Sequence, residues 1–91
     1  DSISVKTPSN AHGAIKALQE SHGASLTVSD DEIRIAQKDF AMLAGVFVEP
    51  SSAATFAGAR KAKTGGLISE SETLVLLATG HGLKDINAVR I

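Results

Sequence analysis

With 91 residues, nine Lys and Arg against ten Asp and Glu, and a net charge of −1, the chain has room for one small domain with a modest core. Its 43% hydrophobic and 21% charged content is that of a globular chain and excludes intrinsic disorder. A pI near 6.3 argues against the concentrated basic face that nucleic acids need, and three Phe with no Trp or Tyr argue against a stacking platform for bases or sugars.

No apolar run approaches the roughly 18 residues of a membrane span, and no charged-then-apolar signal opens the chain. Zero cysteines exclude disulfides, thiolate metal sites and thiol nucleophiles. That fits a reducing compartment, and a cytoplasmic location is expected.

The predicted elements follow a regular punctuation. Residues 2–5 read as a short strand ended by Thr7-Pro8-Ser9-Asn10. Asn10 is positioned to N-cap a helix whose apolar face is Ala11, Ala14, Ile15 and Leu18, with His22-Gly23 as its stop. Residues 25–29 alternate and carry two β-branched side chains, which predicts a second strand. Ser29-Asp30-Asp31-Glu32 has capping-box spacing and opens a helix with Ile33, Ala36, Phe40 and Leu43 as its buried stripe and Gly45 as its end.

Residues 46–48 then form a brief extended run into Glu49-Pro50. Ser51 or Ser52 is expected to cap a third helix with Ala54, Gly58 and Ala62 on one face. Gly within a helix costs about 1 kcal/mol against Ala, so that face is predicted to lie tight against a sheet. Gly65-Gly66 ends the helix. Residues 74–78 are apolar at every position, as in a strand covered on both faces, and lead into Thr79-Gly80-His81-Gly82.

Alternation of strands and helices predicts an α/β class: a three-layer structure with a short, mostly parallel sheet, flanking helices and right-handed crossovers. A doubly covered strand needs more cover than three short helices provide. The chain is therefore expected to be a single partial domain, residues 1–91, of a larger protein.

In such folds ligands sit beyond the carboxyl ends of parallel strands. Two segments occupy that place. Thr79-Gly80-His81-Gly82 offers a hydroxyl and glycines that let backbone approach a ligand, and Glu49-Pro50-Ser51-Ser52 offers a carboxylate beside the amides of a helix start. Each also has an ordinary reading, as a plain turn and as helix-capping chemistry. Arg60, Lys61 and Lys63 read as a solvated helix face. His12, His22 and His81 lack metal-ligand spacing, so no metal site is expected, and no nucleophile elbow, Walker loop or GxGxxG is present.

Residues 79–85, TGHGLKD, resemble the C-terminal signature of the threonine synthase family. Gly45-Val46-Phe47-Val48-Glu49-Pro50-Ser51-Ser52-Ala53-Ala54 with Ala57-Gly58 is similar to that family's GIFxEPxxA…AG stretch. Val28-Ser29-Asp30-Asp31-Glu32-Ile33 is similar to its VSDEEI segment, and Asp1-Ser2-Ile3-Ser4-Val5 to its ADSISV segment. The blocks occur in the family's order and span most of the chain.

The resemblance implies part of the large domain of a fold-type-II enzyme dependent on pyridoxal 5′-phosphate. Such an enzyme converts O-phospho-L-homoserine and water to L-threonine and phosphate by γ-elimination and β-replacement. It places Thr79 beside the cofactor's pyridine nitrogen, which a hydroxyl can hydrogen-bond but cannot hold protonated as a carboxylate would. It also implies that Gly80 and Gly82 let backbone run close to the cofactor and that Glu49 lines the cleft near the ring.

The family's Schiff-base lysine and Gly-rich phosphate loop lie upstream of these motifs and have no counterpart among the 91 residues. No catalytic residue is therefore assigned here, the chain alone is expected to be inactive, and the cofactor is not expected to stay bound to it. The expected partners are the rest of the parent enzyme and a small amino-acid substrate, with neither nucleic acid nor membrane, and with self-association through apolar surface near residues 74–78. A second reading is another fold-type-II lyase such as threonine or serine dehydratase, whose turns usually carry Ser where this chain has Thr79. A reading from another class is a non-catalytic binding or regulatory module.

Overall fold

A computed structural model describes residues 9–83 and contains three helices: α1 (Ala11–Ser21), α2 (Asp30–Ala44) and α3 (Pro50–Thr64). All three arise where the local signals predict them. The Asn10 side chain accepts the Gly13 amide at the start of α1. At its end the left-handed residue is His22 (φ 56°), and the Gly23 amide closes on the Leu18 carbonyl at 2.9 Å. Asn10 and His22 therefore bound the helix, although Gly23 was the residue expected to take the special conformation.

The capping box of α2 is complete. The Ser29 hydroxyl accepts the Glu32 amide at 3.1 Å, and the Glu32 carboxylate accepts the Ser29 amide at 2.8 Å. The Ser29 amide and hydroxyl, and the more distant Lys61 ammonium, hold the Glu32 carboxyl below the usual carboxylate range, since each favours the charged form. Gly45, at φ 71°, terminates the helix in the left-handed region that favours glycine.

The α/β expectation is overturned. Among the described residues there is no sheet, and the predicted strands at 25–29 and 74–78 and the extended run at 46–48 form no ladder. The remaining predicted strand, 2–5, lies outside the described residues. Val48 and His81 make one isolated antiparallel bridge. The physical reason is that β pattern specifies an extended tendency, whereas a strand exists only when a neighbour pairs with its backbone groups. Here the Thr27 carbonyl instead accepts a hydrogen bond from Lys61 Nζ at 2.7 Å, and among the described residues no segment pairs with 74–78.

The layers are therefore helical. α2 packs on α3, and the core lies between them and the chain that joins them: Ile33, Val48 and Ala53 are buried, with Val28, Phe40 and Ala54 packed against them. Phe40 and Phe56 meet edge to face with centroids 5.4 Å apart, and the Arg60 guanidinium lies 4.4 Å over the Phe56 ring while pairing with Asp39 at 2.7 Å.

Three further expectations change. The stripe of α2 is Ile33, Ala36 and Gln37, with Phe40 half-buried and Leu43 exposed. α1 buries no residue, so Ile15 and Leu18 face outward. Finally, Gly58 has nothing within 4 Å of where a Cβ would stand, so no close backbone approach explains it. α3 buries Ser52, Ala53 and Ala57, and of the predicted face Ala62.

Candidate functional site

α3 starts at Glu49-Pro50 because proline's fixed φ and missing amide suit the first helical position. Glu49 is the N-cap residue. Its carbonyl accepts the Ser52 and Ala53 amides at 3.0 and 2.9 Å, while its carboxylate makes no capping bond. The expected capping by Ser51 or Ser52 is thus incorrect: Pro50 moves the helix start forward and places both serines inside the first turn.

This frees the Ser52 hydroxyl for a tertiary role. Ser52 is 1% exposed, and its Oγ accepts the Thr79 amide at 2.8 Å and the Gly80 amide at 3.2 Å. It also lies 3.2 Å from Thr79 Oγ1. Backbone bonds complete the docking of the turn. The Gly80 carbonyl accepts the Glu49 amide at 3.0 Å, and the Gly82 amide donates to the Phe47 carbonyl at 2.9 Å. Phe47 and His81 pack edge to face at 5.8 Å. From α2, the buried Gln37 amide donates to the Val48 carbonyl at 2.7 Å, which fixes the strand-like residue that precedes Glu49.

Thr79, Gly80 and Glu49, the three residues named from sequence as candidate cofactor contacts, are therefore brought together by the start of α3. Glu49 is 5% exposed, and a Cβ at Gly80 would overlap its carboxylate, so any larger residue at 80 would make Glu49 or the turn shift. Thr79 is exposed even though its amide is anchored. Residues 74–78, which lead to it, were expected to be covered on both faces. They stand in the open instead, with Val75 85% and Leu77 70% exposed. The GLKD end of the motif lies outside the described residues from Lys84 onward.

Sequence reasoning missed Ser52 and Gln37. A hydroxyl two residues after a helix-starting proline is a weak signal, since capping gives the same letters. Gln37, four residues from Ile33, falls on the apolar stripe, where a polar side chain announces a buried hydrogen bond. The cationic residues of α3 behave as a solvated face, with Arg60, Lys61 and Lys63 paired to Asp39, Glu32 and Glu70. A groove of about 240 Å³ beside them, lined by Ile35, Ala57, Arg60 and Thr64 among others, contains none of Thr79, Gly80 or Glu49. No described helix is long and apolar enough to cross a membrane.

Comparison with known proteins supplies the lineage. The chain is 48% identical to a threonine synthase of Methanosarcina acetivorans over 87 residues, which cover 96% of this chain and 22% of that protein. It is 44% identical to a threonine synthase of Methanocaldococcus jannaschii (94% of this chain, 21% of that protein) and 43% identical to one of Mycobacterium tuberculosis (91% and 23%). It thus spans about a fifth of the length of the curated relatives it matches. Residues 1–80 match the family of pyridoxal-phosphate dependent enzymes, so the segment that joins Glu49, Ser52 and Thr79 belongs to that family.

Proposed function

We propose that these 91 residues are part of a threonine synthase, which converts O-phospho-L-homoserine and water to L-threonine and phosphate, and that they form the C-terminal portion of its large domain. The observation that carries this reading is the 41–48% identity to threonine synthases over nearly the whole chain.

The donor set suits the cofactor. Thr79 is an exposed residue whose neutral hydroxyl lies 3.2 Å from the Ser52 hydroxyl, and both residues are uncharged. Such a partner fits a neutral aromatic nitrogen. Thr79 would hold the pyridine nitrogen, Gly80 would let backbone approach the ring, and Glu49 would line the cleft beside it. Pyridoxal phosphate, when bound, supplies an electron sink for charge that develops on the amino-acid carbons. The residues of this chain contribute orientation: Thr79 would donate to one ring atom, and the buried start of α3 keeps the turn from drifting.

Neither the Schiff-base lysine nor the phosphate-binding loop is among these residues, so the 91-residue chain is inactive by itself. In the complete enzyme, phosphate and threonine should form together from O-phospho-L-homoserine. Formation of 2-oxobutyrate from threonine, without phosphate chemistry, would instead identify a dehydratase. The 91-residue chain, incubated with pyridoxal phosphate and reduced with borohydride, should give no stoichiometric adduct on any one lysine. A single fully labelled lysine would refute the assignment.

Its partners would be the rest of the enzyme and the small amino-acid substrate, acting in the cytoplasm. Exposed Leu74, Val75 and Leu77 with Met42 and Leu43 leave apolar surface that needs cover. In isolation the chain should therefore self-associate, sedimenting above its 9.4 kDa monomer mass. A clean monomer at high micromolar concentration would count against this.

A further inference from the structure

The hydroxyl of Ser52 has a complete and directional set of partners. A serine hydroxyl has one hydrogen to give and two lone pairs to receive. Both lone pairs are occupied, one by the Thr79 amide at 2.8 Å and one by the Gly80 amide at 3.2 Å. Among the described residues, the remaining hydrogen-bond contact of this hydroxyl is Thr79 Oγ1 at 3.2 Å. With both lone pairs taken, the bond between the two hydroxyls is assigned from Ser52 to Thr79. Thr79 Oγ1, already receiving, keeps its own hydrogen for an outside acceptor, and Thr79 is an exposed residue.

We propose that Ser52 is a positioning residue that fixes the Thr79 hydroxyl as a hydrogen-bond donor, so that this site selects an unprotonated ring nitrogen. The functional half of this statement rests on the reading that Thr79 meets the cofactor ring. The structural half rests on Ser52, Thr79 and Gly80 alone. Burial makes the arrangement persistent, because Ser52 is 1% exposed and water does not compete for its lone pairs. The two amides also come from consecutive residues, so one oxygen sets both the position of the turn and the orientation of its hydroxyl. Without Ser52, the Thr79 hydroxyl could rotate and receive as readily as it gives, and the preference for an unprotonated nitrogen would be lost.

The test uses the complete enzyme and its Ser52→Ala and Ser52→Thr variants. In the cofactor-free protein, hydrogen–deuterium exchange of a peptide covering 76–83 reads the anchor without any catalysis. Ser52→Ala should speed exchange at Thr79 and Gly80 by at least about tenfold, since the amides lose their acceptor, while α2 stays protected. Ser52→Thr, which keeps the oxygen, should restore the slow rate. In the cofactor-loaded protein, the absorption spectrum of the cofactor should become pH-dependent in Ser52→Ala as the ring nitrogen takes up a proton, with kcat falling more than KM rises, and Ser52→Thr should return both to wild type.

Unchanged exchange in Ser52→Ala overturns the proposal at its structural half. Faster exchange with an unchanged spectrum overturns it at its functional half, provided that Thr79→Val does alter the spectrum; Thr79 then meets the ring without help from Ser52. If Thr79→Val also leaves the spectrum unchanged, the Thr79 reading fails and the proposal falls with it.

Discussion

Thr79→Val in the complete enzyme is expected to lower kcat about 10- to 100-fold and to shift the cofactor's absorption, with the fold intact. Valine keeps the shape of threonine but can neither give nor receive a hydrogen bond. The ring nitrogen then loses its partner, and the Ser52 hydroxyl is left buried with no acceptor for its hydrogen. An unsatisfied buried polar group costs about 1–3 kcal/mol, and each 1.4 kcal/mol is tenfold in rate when it falls on the transition state.

The turn itself should remain docked. The Ser52 bonds to the Thr79 and Gly80 amides, and the backbone bonds between Glu49 and Gly80 and between Gly82 and Phe47, all survive the change. Thr79→Ser, which retains the hydroxyl, should keep most of the activity. Wild-type spectra and rates in Thr79→Val would remove this residue from the site.

Gly80→Ala is the second substitution with a large expected effect, and it acts through packing. The added methyl would overlap the Glu49 carboxylate, which is buried beside the start of α3. Gly80 is not among the residues with positive φ, so backbone conformation adds nothing and the whole cost is steric. Overpacking of this kind typically costs about 1–3 kcal/mol. Either Glu49 must swing away or the turn must lift from Ser52.

Urea unfolding of the chain should show that loss, and the complete enzyme carrying Gly80→Ala should bind its cofactor more weakly. Gly58→Ala is the control. It adds a methyl to open space inside α3, so helix propensity alone predicts a gain of up to about 1 kcal/mol. Equal stability of Gly80→Ala and the wild type would show that Glu49 yields without cost.

The helices were legible because their signals are local. Asn10, the Ser29–Glu32 box and Gly45 each act within one turn, so four or five letters specify these ends. The candidate site was legible in a different way. Thr79, Gly80 and Glu49 were named from motif resemblance, and they are neighbours in space although thirty residues separate Glu49 from Thr79. The residue that joins them, Ser52, was read as a cap because a hydroxyl in a first helical turn has two competing uses, and local sequence does not choose between them.

Helix positions and ends thus follow from interactions between residues a few places apart, which any sufficiently long stretch of this chain carries with it. Strand formation does not, because a β pattern at 25–29, 46–48 or 74–78 needs a second backbone at hydrogen-bonding distance. The packing of α2 on α3, the bridge from Val48 to His81, and the use of Ser52 as an anchor were settled in three dimensions. There the buried oxygen nearest two unpaired amides accepts them, whatever role its place in the helix would otherwise suggest.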